Sequence, residues 1–159
     1  MKTLARILGT WFGCGYAPKG PGTAGSLGAL IVAWPLRNEP AWFFAALALI
    51  LLGPAIWSAA SVARQTGKSD PQIVVIDEVI GQWIALAGAQ FYSLQAWIVA
   101  FFLFRLFDIW KPWPIRRLER LHGGTGIVLD DVMAGIYAAL VLYLAGWNNS
   151  ISKLLYGIS

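Results

Sequence analysis

The chain has 159 residues, 58% of them hydrophobic and 13% charged, with a net charge of +4, whereas ordinary soluble domains carry roughly 25% charged residues. That composition excludes an ordinary water-soluble domain and predicts an all-α, polytopic membrane helical bundle, one domain over residues 1–159. Most of the cations fall in short stretches between apolar segments, where membrane orientation is set, so no nucleic-acid partner is implied.

The N-terminal stretch MKTLARILGTWFG contains Lys2 and Arg6. It lacks a continuous apolar core followed by a small-residue cleavage site, so it is expected to be retained and to lie along the membrane surface. Next, APKGPGTAGSLG (Ala17 to Gly28) combines Pro18 and Pro21 with Gly22, Gly25 and Gly28 before entering an apolar helix. Its backbone N–H groups, with the Thr23 and Ser26 hydroxyls, suit a phosphate held at a helix N-terminus. It is not a Walker motif, because no GK[ST] follows the glycines, and a plain N-capped turn is the competing account.

Ala24 to Leu36 is shorter than the roughly 17 residues a crossing needs, so it is read as a short or re-entrant helix. Ala41 to Ala63 is the clearest crossing, with Pro54 accommodated by neighbouring helices. Ile73 to Phe91, Leu94 to Trp110 and Ile127 to Trp147 are three further predicted spans, each with charge near one end. About four to five spans result. If all five cross, Met1 to Thr23, Arg64 to Gln72 and Lys111 to Gly126 share one side. That side holds Lys2, Arg6, Lys19, Arg64, Lys68, Lys111, Arg116, Arg117 and Arg120, leaving Arg37 and Lys153 opposite. By the positive-inside rule it is the cytoplasm.

This topology gathers acids. Asp77 and Glu78 open the third span, Asp108 closes the fourth, and Asp130 and Asp131 open the fifth, all near the cytoplasmic face. Ionisable groups inside a membrane are costly and usually functional. Their mutual repulsion calls for a shared cation or for protonation. Cys14 is the single cysteine and His122 the single histidine, which excludes a disulfide framework and a His/Cys zinc site. A hard ion held by oxygen remains, and Mg²⁺ fits, since it combines one or two carboxylates with waters and a substrate phosphate. Helix-dipole stabilisation is the alternative. It serves Asp130 but fails for Asp108 at a helix C-terminus.

FRLFDIWKPWP (Phe104 to Pro114) sets Arg105, Asp108 and Lys111 at three-residue intervals along one side of a helix end, and Pro112 biases Lys111 out of the helix. Arg105 suits a phosphate oxygen or Asp108, and Lys111 an anion. Arg116, Arg117 and Arg120, interleaved with Leu118 and Leu121, read as a short interfacial helix attracted to anionic headgroups. His122, beside Gly123 and Gly124, is read as a loop histidine before a proton-transfer group.

Taken together, PGTAGSL (Pro21 to Leu27), IDEVIGQW (Ile76 to Trp83), FRLFDIWKPWPIR (Phe104 to Arg116) and HGGTGIVLDDVMAG (His122 to Gly135) resemble, in order and spacing, the motifs of the phosphatidylglycerophosphatase A family of bacterial membrane lipid phosphatases. The resemblance implies an all-helical fold and Mg²⁺-dependent hydrolysis of phosphatidylglycerophosphate to phosphatidylglycerol and inorganic phosphate at the cytoplasmic face of the inner membrane. The residues themselves supply the expected roles. Asp77, Glu78, Asp108 and Asp131 form the Mg²⁺ site, with Asp130 behind them or at the helix end. Glu78 or Asp130 accepts a proton from the attacking water, and Thr23, Ser26, Arg105 and Lys111 hold the phosphate. A cation or proton transporter using the same acids is the alternative. Transporters commonly show paired repeats with a site at the bilayer midplane, whereas this chain has no repeat and its acids lie at one face.

Overall fold

The computed structural model describes residues 2–90, 92–118, 121 and 123–157, and among them every regular element is helical. Helix α1 (Lys2–Gly9) exposes Leu4 and Ile7 and lays Gly9 against Val62 and Ser58. After a 3-10 turn at Cys14–Tyr16, Gly20 adopts a left-handed conformation (φ 60°) and Pro21 opens α2 (Pro21–Ala33). Proline is well placed there, because the first N–H of a helix has no intrahelical partner to lose. A second 3-10 turn, Trp34–Leu36, extends α2. Helix α3 (Trp42–Thr66) runs through Pro54 and stops at Gly67, a left-handed cap (φ 69°).

Helix α4 (Ile76–Leu86) is the hub: Ile76, Val79, Ile80, Gly81, Gln82, Trp83, Ala85 and Leu86 are all buried, with α2, α3, α5 and α7 packed round it. Its start is pinned by the Val75 N–H donating to the Gly9 carbonyl at 2.8 Å, and its far side by Trp83 Nε1 donating to the Ala29 carbonyl at 3.1 Å. Helix α5 (Leu94–Trp110) begins at Ser93, whose hydroxyl accepts from the Ala96 N–H at 3.2 Å, a normal N-cap. It ends where Lys111 turns left-handed (φ 47°) before Pro112. Short α6 (Ile115–Leu118), long α7 (Gly124–Trp147) and α8 (Asn149–Tyr156) complete the chain.

Helices α4 and α7 touch backbone to backbone. A Cβ on Gly135 would lie 3.0 Å from the Gly81 Cα, and one on Gly81 would lie 2.7 Å from the Asp131 carbonyl oxygen. Small residues permit that approach, and it draws the first turn of α4 toward the second and third turns of α7.

Among the described residues, two helices, α3 and α7, are long and apolar enough to cross a membrane. The span expected over Ile73 to Phe91 differs most from the structure. Its helix has 11 residues, about 16 Å, against a hydrocarbon core of roughly 30 Å. The helix is shorter than the expected segment because residues 73–75 and 87–90 are non-helical; Phe91 lies outside the described residues. Helix α5 has the expected bounds, α2 with its 3-10 turn covers the short segment expected at Ala24 to Leu36, and α7 starts at Gly124 rather than Ile127.

Candidate active site

The loop before α2, the segment before α4, the end of α5 and the start of α7 enclose a cavity of about 800 Å³. Asp77, Glu78, Asp108, Asp130, Asp131, Arg105 and Lys111 all line it. The five acids expected to converge from three helices therefore share one site.

They divide into two kinds. Asp108 is held by Arg105, with NH1 2.8 Å from Oδ2, and Asp130 by Lys111, with Nζ 2.7 Å from Oδ2. Lys111 reaches α7 because its left-handed backbone reverses the chain just beyond α5. Asp77, Glu78 and Asp131 form no such pair among the described residues. Instead they can each point one oxygen at a common centre, the three atoms lying within 4.8 Å of one another. Each also has a buried carboxylate oxygen without a hydrogen-bond partner: Asp77 Oδ1, Glu78 Oε2 and Asp131 Oδ2.

Buried charges without partners are strongly unfavourable, and three on one point are worse. The chemistry of the set, hard oxygen donors in a cluster, fits a divalent ion such as Mg²⁺. Asp108 lines the same cavity but stands outside this trio, bound to Arg105. Arg105 keeps Nε and NH1 free of any well-aligned hydrogen bond; its short contact with Asp108 is an ion pair without hydrogen-bond geometry. Those buried donors remain available to an anion.

Helix dipoles do not account for the acids of α7. Asp130 and Asp131 are the seventh and eighth residues of a helix that starts at Gly124, about 9 Å along its axis, and the dipole effect fades within the first turn. Asp77 and Glu78, in the first turn of α4, do benefit from it.

The glycine loop contributes differently from the expectation. Thr23 is exposed, Ser26 is buried with its hydroxyl donating to the Gly22 carbonyl at 3.1 Å, and neither lines the cavity. Gly20, Pro21 and Gly22 do. Gly22 sits so close to Glu78 and Arg105 that a Cβ there would collide with Glu78 Oε1 and lie 3.2 Å from Arg105 NH1. The start of α2, whose first N–H groups have no intrahelical acceptor, thus faces the site with its backbone. Ser69, Asp70 and Gln72 also line the cavity, and sequence reasoning missed them. The available signal was their place between two spans on the cationic side. His122 and Arg120 lie outside the described residues.

The sequence matches the profile of phosphatidylglycerophosphatase A over residues 7–146. It is 40% identical over 150 residues to phosphatidylglycerophosphatase A of Escherichia coli K12, covering 92% of this chain and 86% of that one, and 37% identical over 142 residues to the Haemophilus influenzae protein of the same name, covering 86% and 85%. A Bacteroides thetaiotaomicron protein with the provisional name phosphatidylinositol-3-phosphatase is 39% identical over 151 residues, covering 91% of this chain and 94% of that one. No solved structure matches the chain. With a match over most of its length, and with residues of all four motif-bearing segments gathered round one cavity, the chain belongs to the phosphatidylglycerophosphatase A family of phosphatases.

Proposed function

We propose that the protein hydrolyses the terminal phosphomonoester of phosphatidylglycerophosphate, giving phosphatidylglycerol and inorganic phosphate, with the cavity open to the cytoplasm and the bundle in the bacterial inner membrane. The observation that carries this is the trio of clustered carboxylates, Asp77, Glu78 and Asp131, each with a buried oxygen that has no hydrogen-bond partner, beside Arg105 in one cavity. The names of the two phosphatidylglycerophosphatase A relatives support the substrate. The transporter alternative finds no support, since the acids sit at one end of the bundle and the relatives are phosphatases.

Asp77, Glu78 and Asp131 would hold a Mg²⁺ ion, which when bound supplies Lewis-acid polarisation of the phosphoryl oxygens and neutralises their charge. Arg105 binds a phosphate oxygen through Nε, which has no hydrogen-bond partner, while NH1 stays beside Asp108, and the N-terminus of α2 at Gly22 presents backbone N–H to another. Lys111 fixes Asp130 through Oδ2 and leaves Oδ1 buried and unpartnered. Asp130 Oδ1 takes a proton from the attacking water as its oxygen bonds to phosphorus. The bond from phosphorus to the glycerol oxygen breaks, that oxygen takes a proton from solvent water, and Asp130 returns its own proton to solvent. Asp108 keeps Arg105 aimed into the site.

Large apolar side chains exposed round the bundle support membrane residence, among them Leu49 and Ile50 on α3, Phe102 on α5 and Leu144 on α7; a water-soluble surface of that kind is rare. Trp110 and Trp113 at the cavity end, with Trp42 and Trp147 on the outer surface away from the cavity, suit the two interfacial aromatic belts. In this reading α2 with its 3-10 turn, α3, α5 and α7 surround α4, whose segment makes the remaining pass from the cytoplasmic to the far side.

A second reading, dephosphorylation of phosphatidylinositol 3-phosphate, is favoured by the provisional name of the Bacteroides relative. Phosphate release from the two lipids, each with Mg²⁺ and with EDTA, decides. Release from phosphatidylglycerophosphate that requires the metal is expected. Release from the inositol lipid alone overturns the substrate, and undiminished release in EDTA overturns the metal site.

A further inference from the structure

A groove of about 570 Å³ runs between α2 and α5, lined only by apolar side chains, including Leu27, Leu30 and Ile31 from α2 and Ile98, Phe101 and Phe102 from α5. The two helices each pack on α4 and scarcely on each other. Ile31 is 73% and Phe102 65% exposed, so the protein leaves this cleft open from the side.

The groove lies next to the cavity along the same two helices. Gly22 and Arg105, which meet at the site, are one or two turns from Leu27 and Phe101 on the same two helices. At the other end the helices close again, Trp34 and Trp97 meeting edge to face with ring centroids 6.2 Å apart. From the site to that gate is about 12 Å along α5, Arg105 to Trp97, and about 18 Å along α2, Gly22 to Trp34. Half of a roughly 30 Å hydrocarbon core is about 15 Å. Cavity and cleft together are thus about one leaflet long, polar at the cavity and apolar along the cleft.

We infer that the α2–α5 groove binds an acyl chain of the phospholipid substrate, so that the lipid enters sideways with its phosphate at Gly22 and Arg105 and its chain against Leu27, Ile31, Ile98 and Phe101. This rests on the phospholipid phosphatase reading above. The groove then selects for a chain, and the cavity for the phosphate.

The test uses the full-length protein in nanodiscs or detergent with Leu27→Trp and Ile98→Trp, which fill the groove without touching the catalytic cavity. Each is expected to lower kcat/KM about tenfold for long-chain phosphatidylglycerophosphate, in line with the discrimination available to an apolar pocket, while leaving a short-chain analogue unchanged. An equal loss on both substrates, or no loss on either, overturns the inference. The wild-type protein supplies a second reading, independent of how the variants fold. A photoreactive acyl chain on the substrate is expected to label peptides of α2 and α5, and labelling confined to α3 and α7 overturns the inference. A wild-type protein that cleaves neither lipid contradicts the phosphatase reading instead, and removes the basis for an acyl site.

Discussion

At the scale of single residues, the cavity separates acids that hold cations of the protein from acids that have none. Asp77→Asn and Asp131→Asn each keep side-chain size and remove one negative charge from the trio. Each is expected to lower phosphate release at least a hundredfold, as loss of a charge-stabilising group does, while the thermal transition stays or rises because an unpaired buried charge is gone. Lys111 predicts the opposite pattern. Lys111→Met strands Asp130, whose side chain is 7% exposed, and is expected to cost about 2–4 kcal/mol. Adding Asp130→Asn recovers most of that stability without recovering activity, read by thermal unfolding beside phosphate release. Gly22→Ala places a methyl on Glu78, so its activity falls more than its stability.

At the scale of the element, the α4–α7 contact sets the geometry of the trio. Gly81→Ala would push its Cβ against Phe104 and to 2.7 Å from the Asp131 carbonyl oxygen, parting the two helices that carry Asp77, Glu78 and Asp131. A loss of about 1–3 kcal/mol in unfolding free energy is expected from such overpacking. Gly53→Ala is the matched control: nothing lies within 4 Å of the added methyl on α3, and no destabilisation is expected. The acids themselves were legible from sequence because carboxylates among aliphatic residues have few inexpensive explanations. Their division was not legible. Whether Asp108 or Asp131 joins Asp77 and Glu78 depends on where Arg105 and Lys111 reach, and the reach of Lys111 depends on a left-handed turn at α5's end. The hydroxyls of Thr23 and Ser26 drew attention as obvious phosphate donors, yet the structure presents the backbone of Gly20 to Gly22 in their place. Sequence gives residue type; the rotation of a helix decides which atoms face the site.

At the scale of the whole molecule, the helical character and the bounds of α5 followed from hydropathy, whereas α3 runs three residues past its expected end and α4 is shorter than the segment expected. An apolar stretch with two acids at its start looks alike whether lipid or other helices surround it. Membrane topology is a separate prediction. In a Cys14→Ser background, single cysteines at exposed Lys68 and Arg116 are expected to react with an impermeant thiol reagent from the cytoplasmic side, and one at exposed Asn38 from the other. Shared accessibility of all three positions would contradict the proposed crossing pattern. The central claim is that Asp77, Glu78 and Asp131 jointly hold one divalent ion at the place where the phosphate is cleaved. Equilibrium binding of Mn²⁺ as a spectroscopic substitute for Mg²⁺, followed by electron paramagnetic resonance, tests it most directly. The account predicts a bound signal in wild type that is lost in Asp131→Asn and retained in Asp70→Asn at the cavity mouth; binding undiminished in Asp77→Asn and Asp131→Asn would contradict it.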